Sequence, residues 1–278
     1  MRIVAIGDNC LDWYLDRQKI YPGGNTVNVA VFTHRLGAEA AYIGQFGADR
    51  AGDIMISALR AEGVDCGRIR QVPGRSGYAT VRNIDGERVF QGGSNGVVVF
   101  APDADDLAHM AGADLIHTGD CSFLEDYVAE FAAIAPVSFD FSIRPDDYCQ
   151  PLLPHVKIAS FSRPGLAAAD IQDFIAWAHS FGPEQVHVTQ GENGSWVSQG
   201  QGIHHEPSVP TQVCDTLGAG DSFISAMLIG RLQGKPLDQA AAFAARFAAK
   251  ACQGYGAFGY EADAADMTVA PDHYAHVS

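Results

Sequence analysis

The string "DTLGAGDSF", Asp215 to Phe223, sets two carboxylates six positions apart around "GAG". Glycine inside a helix costs roughly 1 kcal/mol relative to alanine, so these small residues mark a backbone that something must approach. The apolar run "FISAMLIG" behind them reads as a buried helix. A helix start presents N–H groups without intrahelical partners and the positive end of the dipole, which suits an anion. Gly218, Ala219 and Gly220 are therefore candidates for an anion hole around a phosphoryl group in transit. Asp221, at the head of that helix, is a candidate base for the proton of an attacking hydroxyl. The plain alternative is a glycine-rich turn with Asp221 as a dipole partner, and the short motif alone does not decide between them.

A second cluster lies near the N-terminus. "GDNCLD" supplies Asp12, and "YPGGNTVNVA" supplies Gly23, Gly24, Asn25 and Asn28. A polyol ligand offers hydroxyls that need carboxylate acceptors and amides, and glycines let a backbone pass close to it. Taken singly, Asp12 reads equally as a solvated loop acid and Asn28 as a satisfied helix-face amide.

Elements must position these groups. "RIVAIGDN", "AAYIGQFG", "DLIHTGD", "PVSFDFS", "VKIASFS" and "QVHVTQG" read as short strands. "NTVNVAVFTHRLG", "DRAGDIMISALRAEG", "EDYVAEFAAIA" and "AADIQDFIAWAHSFG" read as helices, the second with Asp49 as its cap and Gly63 as its stop. This alternation predicts one α/β domain over 1–278 with a mainly parallel sheet between helices. Two segments break the pattern, about 10–22 and 75–97. The second alternates through Tyr78, Thr80 and Arg82, turns at "IDG" and returns through Arg88, Val89 and Phe90, as a hairpin does. Such insertions near strand ends predict a small β-lid over a cleft. Apolar residues on it, Tyr78, Val81 and Phe90, predict a homodimer through the lids.

Composition narrows the partners. A net charge of −15 disfavours nucleic acid and anionic membrane surfaces. The six cysteines are scattered without a C-x-x-C pair, which fits a reducing cytoplasm. The N-terminal apolar run is too short for a signal peptide, and no run reaches the roughly 18 residues of a membrane helix. "GYGAFG", Gly254 to Gly259, fits a dinucleotide pattern but follows an alanine-rich helix rather than a strand, so it reads as a loop. "GRLQGKP" has the wrong spacing for a phosphate loop. His204, His205 and the tail "HYAH" lack a further ligand spaced to complete a metal site.

In family order, "YPGGNTVNVA", "VTQGENGSW" and "DTLGAGDSF" resemble the signatures of the PfkB (ribokinase-like) carbohydrate kinases over nearly the whole chain. The resemblance implies a ribokinase-like fold and ATP-dependent phosphorylation of a sugar hydroxyl, with Mg2+. It implies Asp221 as base, residues 218–220 as anion hole, and Asp12, Gly23, Gly24, Asn25 and Asn28 on the sugar side. It places Thr189, Gly191 and Gly194 near the nucleotide, and Asp215 beside a monovalent cation, K+ in many members. "FDFSIR" resembles the family's D-x-N-x-R strand with Ser142 in place of Asn, and its Arg144 is either a phosphate ligand or a surface residue. The family's N-x-x-E motif is missing from "IASFSRPGLAAAD", so no magnesium ligand is assigned.

Within the family, "GDNCLDWY", "ERVFQGGSNGV" and "FDFS" resemble the bacterial fructosamine kinases. That subgroup implies the 6-hydroxyl of a fructosyl-amino acid, such as a fructoselysine-like conjugate, as acceptor. Such a substrate adds an ammonium and a carboxylate to the sugar. Arg88, Asp120, Glu125 and Asp126 are rim candidates for them, or else a solvated face. The alternatives are a kinase of a plain ketose, ribose or nucleoside, and a silent sugar-binding regulator.

Overall fold

The computed structural model describes residues 1–84, 87–200 and 202–266, the side chains of 83, 84, 87, 88 and 266 excepted. Seven parallel strands form the body of a nine-stranded sheet. They are β1 (Arg2–Ile6), β4 (Glu39–Gly47), β5 (Asp65–Val72), β8 (Leu115–Gly119), β9 (Val137–Ser142), β10 (Ile158–Ser162) and β11 (Gln185–Thr189). Antiparallel β12 (Ser195–Gln199) and β13 (Gly202–Glu206) extend one edge, giving the order β13-β12-β11-β10-β9-β8-β1-β4-β5. The inner strands are almost wholly buried, which is why they read as continuous apolar runs.

Helices cover both faces. On one side α3 (Ala104–Met110), α4 (Val128–Ile134) and α6 (Ala168–Ser180) pack Met110, Phe131 and Phe174 onto Ile116, Phe139 and Phe161. On the other lie α1 (Asn25–Arg35), α2 (Arg50–Glu62), α7 (Ala219–Leu232) and α8 (Leu237–Ala251). A four-residue turn of helix, α5 (Asp146–Cys149), follows β9. Asp49 caps α2 by accepting from the Gly52 N–H at 2.9 Å, and Gly63 ends it in the left-handed region, as the sequence predicts.

The two segments that break the alternation meet in a second sheet. β2 (Cys10–Tyr14) and β3 (Lys19–Gly23) form one hairpin, and β6 (Tyr78–Ile84) and β7 (Glu87–Ser94) another. β2 and β6 pair in parallel, and β14 (Ala262–Asp263) closes the order β14-β3-β2-β6-β7. The C-terminal strand is held there by Lys19, which pairs with Asp263 at 2.6 Å and Glu261 at 3.2 Å.

One expectation about this sheet fails. Val81 is 1% exposed and packs with Tyr14 and Tyr21, and Tyr78 is half-buried against the main core. The two residues lie on opposite faces of β6, and a different cluster covers each. Phe90 and Val89 are the exposed apolar pair.

Candidate active site

The chemistry gathers at the carboxyl ends of the parallel strands, where open α/β sheets bind ligands. Asp8 follows β1, Asp120 follows β8, and Asp140 lies near the end of β9. The N-termini of α1 and α7 point into the same region.

Asp8 anchors the first of these helices. Its carboxylate accepts from the Asn25 N–H at 2.7 Å and the Thr26 N–H at 3.2 Å, so a neighbouring strand end caps α1. Burial raises the Asp8 carboxyl above its ordinary range, against the pull of those backbone donors. Gly24 starts α1 with φ of 106°, and a Cβ there would lie 2.7 Å from Asn9 Cα. A Cβ on Gly23 would strike the Asp12 carboxylate, which is itself buried. Both glycines thus have a reason inside the protein, where the sequence suggested close approach to a ligand.

Gly218 is the cap of α7, with φ of 74°, and an added Cβ would lie 2.5 Å from Ala257 Cβ. The Ala219 N–H donates back to the Thr216 carbonyl at 3.2 Å, inside the turn. Asp221 follows in the first turn, half-buried. Its Oδ1 accepts from Asn25 Nδ2 at 2.8 Å, and its Oδ2 from Asn28 Nδ2 at 2.6 Å. The same Asn25 Nδ2 donates to Asp140 Oδ2 at 3.0 Å. Burial, with Asp221 beside it, raises the Asp140 carboxyl well above the usual carboxylate range. Two asparagines from the N-terminal motif therefore reach across 196 and 193 residues of chain to grip the candidate base. Asn28 Oδ1 is buried with no hydrogen-bond partner among the described residues.

Asp215 lies apart from Asp221 in role. Its carboxylate accepts from Tyr14 Oη on the second sheet, from the Gly256 N–H at 3.1 Å and from the Leu217 N–H at 3.1 Å. It thereby ties the glycine turn to the second sheet and to the "GYGAFG" loop. That loop lies against the turn through Gly256 and Ala257, not against any phosphate-binding βαβ unit.

Arg144 leaves the end of β9 and bonds Asp120 Oδ2 through Nε at 2.9 Å, its guanidinium 5.2 Å from the Tyr148 ring centre. Tyr148 Oη donates to Glu125 at 2.5 Å, while Asp126 is exposed. The predicted rim acids Asp120 and Glu125 are thus neighbours of Arg144. Arg88, the remaining rim candidate, has its side chain outside the described residues, as does the "HYAH" tail. Thr189 ends β11, and its Oγ1 donates to the Phe161 carbonyl at 3.3 Å. Gly191 and Gly194 follow in a turn with φ of 59° and 86°, and a Cβ on Gly194 would strike the Glu206 carbonyl. These residues sit at the β11 end of the sheet, away from the Asn25–Asp221 contact.

Sequence reasoning missed Asp8, His117 and Ser138, and noticed Asp140 only as the head of a motif. His117 Nε2 lies 3.0 Å from Asn25 Oδ1, and His117 Nδ1 lies 3.1 Å from Ser138 Oγ. A signal existed: His117 interrupts the buried run "DLIHTGD", where an imidazole needs a partner.

The comparisons agree with this geometry. The model of the pfkB family of carbohydrate kinases matches residues 3–261. The fructosamine kinase FrlD of Bacillus subtilis is 40% identical over 266 residues, 94% of each chain. The fructoselysine 6-kinase of Escherichia coli K12 is 35% identical over 262 residues, covering 92% of this chain and 99% of that one. Among solved structures, Arabidopsis thaliana ribokinase complexed with ribose and ATP superposes with a TM-score of 0.79 at 24% identity, over 95% of this chain and 96% of the other. That likeness shows a ribokinase-like fold. The chain belongs to the pfkB family and is a carbohydrate kinase.

Proposed function

We propose that this ATP-dependent carbohydrate kinase phosphorylates the 6-hydroxyl of a fructosyl-amino acid. The observation that carries the reading is the Asp221 carboxylate at the start of α7, held by two amides at 2.8 and 2.6 Å beside the left-handed Gly218 turn. In the proposed step a sugar hydroxyl gives its proton to Asp221 as its oxygen attacks the γ-phosphoryl group in line. The helix start stabilises charge on the transferring group. Asp12 and the unpartnered Asn28 Oδ1 accept from sugar hydroxyls. The second sheet excludes water that would otherwise accept the phosphoryl group.

The fructosamine assignment rests on the relatives' names and on the rim. Arg144, oriented by Asp120, suits the carboxylate of an amino-acid arm or a phosphate oxygen, and Glu125 suits an ammonium. Thr189, Gly191 and Gly194 are proposed for the nucleotide side. Among the described residues no group of three or more His, Cys, Asp or Glu could hold a metal. Magnesium accordingly enters with ATP, held by phosphates and water. A potassium ion at Asp215 would have to compete with three protein donors, and no step is routed through it.

The test is mass spectrometry of products from fructoselysine, fructose, ribose and adenosine with MgATP. A 6-phosphorylated fructoselysine formed with the highest kcat/KM is expected. Preference for a plain ketose, ribose or a nucleoside would move the assignment within the family. No product from any of them would favour a silent sugar-binding protein. We also propose a cytoplasmic location, in keeping with six cysteines that form no disulfide and with no described helix long and apolar enough to cross a membrane. A homodimer through the second sheet, where Val89 and Phe90 are exposed, is proposed. A monomeric mass by analytical ultracentrifugation would refute it.

A further inference from the structure

We infer that His117 and Ser138 are positioning residues for phosphoryl transfer, locking the Asn25 amide in the one orientation that donates to Asp221 and Asp140 together. The inference rests on Asp221 being the base and deepens that reading by naming what holds the base in place.

The hydrogen-bond polarity runs one way. Asn25 Nδ2 faces two carboxylate oxygens, at 2.8 Å and 3.0 Å, so Asn25 Oδ1 is the atom turned toward His117. That oxygen only accepts, so His117 Nε2 carries the proton. A neutral ring then has a lone pair at Nδ1, which accepts from the Ser138 hydroxyl. Burial keeps the ring neutral, its pKa pushed down to about 3. The chain Ser138, His117, Asn25, carboxylate is therefore fixed at every link, and each donor polarises the next.

The need for an anchor follows from where the carboxylates sit. Asp140 is on β9 and Asp221 is on α7, elements far apart in the chain. One amide nitrogen divides its two hydrogens between them. A small rotation of the Asn25 side chain would favour one carboxylate at the other's expense. A half-turn would set Oδ1 against both. His117 is on β8, paired residue for residue with β9, so its ring refers the amide to the rigid sheet. Catalytic groups misplaced by a fraction of an ångström lose rate without losing ligand affinity.

The experiment uses the full chain with fructoselysine and MgATP, or fructose where fructoselysine is not turned over. His117→Leu is expected to lower kcat by about 10- to 100-fold with the sugar KM within about threefold. Ser138→Ala, a smaller change, is expected to lower kcat by roughly three- to tenfold. His117→Gln, which keeps an amide N–H for Asn25 Oδ1, should recover kcat to within about fivefold of the parent. In an Asn25→Ala background His117→Leu should cause no further loss, because the histidine acts only through that amide.

Full kcat in a folded His117→Leu protein overturns the inference. So does a raised KM with kcat intact, or an undiminished loss in the Asn25→Ala background. If His117→Leu fails to fold, Ser138→Ala and His117→Gln carry the test. Asp221→Asn is run in parallel: an active Asp221→Asn protein defeats the base assignment, whereas an inactive one beside an unaffected Ser138→Ala protein defeats only the positioning role.

Discussion

His117 and His187 occupy matching places in the large sheet, and only one of them reaches the site. Each sits on a parallel strand opposite a serine of the adjacent strand, His117 across from Ser138 and His187 across from Ser160. Each has its Nδ1 3.1 Å from that serine's hydroxyl oxygen. Each is fully buried, and burial pushes each ring down to about 3. They differ at Nε2. That of His117 meets Asn25 at the head of α1, while that of His187 has no hydrogen-bond partner among the described residues and its ring meets the edge of Phe223 on α7. The same two residue types in the same register thus make a polar relay in one place and packing in the other. The difference is which helix starts above the strand.

The largest effect should come from removing what the first pair serves. Asp221→Asn is expected to lower kcat by about 10²- to 10⁴-fold, the usual range for a positioned base, with sugar binding by calorimetry little changed. Substantial turnover in that variant would remove the functional meaning of the His117 relay altogether. The comparison itself is broken or sharpened next by the pair His117→Leu and His187→Leu. The first should show the kcat loss given above and the second should stay within about twofold of the parent. Equal losses would mean that both histidines merely pack.

Gly218→Ala tests the turn that starts α7 and sets the position of Asp221. Its φ of 74° and the 2.5 Å approach to Ala257 should cost about 1–3 kcal/mol in urea unfolding, with reduced kcat. An unchanged urea midpoint would show that the turn relaxes freely.

The last effect, on stability rather than turnover, is in pH dependence. The folded imidazoles have pKa values of about 3, below the ordinary 6.5 that the unfolded chain regains. Between those values the unfolded chain binds protons that the folded one refuses, so stability falls as pH drops through that window. Each histidine contributes at most about 1.4 kcal/mol per pH unit there. The buried Asp8, Asp120 and Asp140, with raised pKa values, act in the opposite direction. Differences between variants therefore isolate the histidines: His187→Leu should lose less stability than the parent between pH 6.5 and 4.5. A parallel pH profile for the two proteins would contradict the buried neutral ring.

Much of the site was readable before any coordinates, for a definite reason. A glycine run ahead of an apolar helix, with an acid in its first turn, states locally that the backbone there is unusual. Asp221 is legible for that reason and Asn25 and Asn28 as amides behind glycines, and the structure brings them within hydrogen-bond reach. Their partnership was not readable. The asparagines were expected to face the sugar, and their Nδ2 groups instead hold the carboxylate. Arg144 reads from sequence as a phosphate ligand or a surface arginine, and its pairing with Asp120 depends on two loops that the sheet sets side by side. Tyr78 and Val81 are covered where the sequence predicts exposure, because the pattern along a strand does not say what packs against either face.

Local patterns determined most of the strands and helices, the cap and stop of α2 and the turn that starts α7, since each depends on residues within a few positions of one another. Sequence also set the acid and amide inventory of the cleft. Tertiary structure alone decided which of two identical histidine–serine pairs would touch the site. It alone gave Asp8 the task of capping α1 and made Asp140 the neighbour of Asp221. Those outcomes follow from strand order and from the heights at which helices begin, which are settled by packing between segments a hundred or more residues apart.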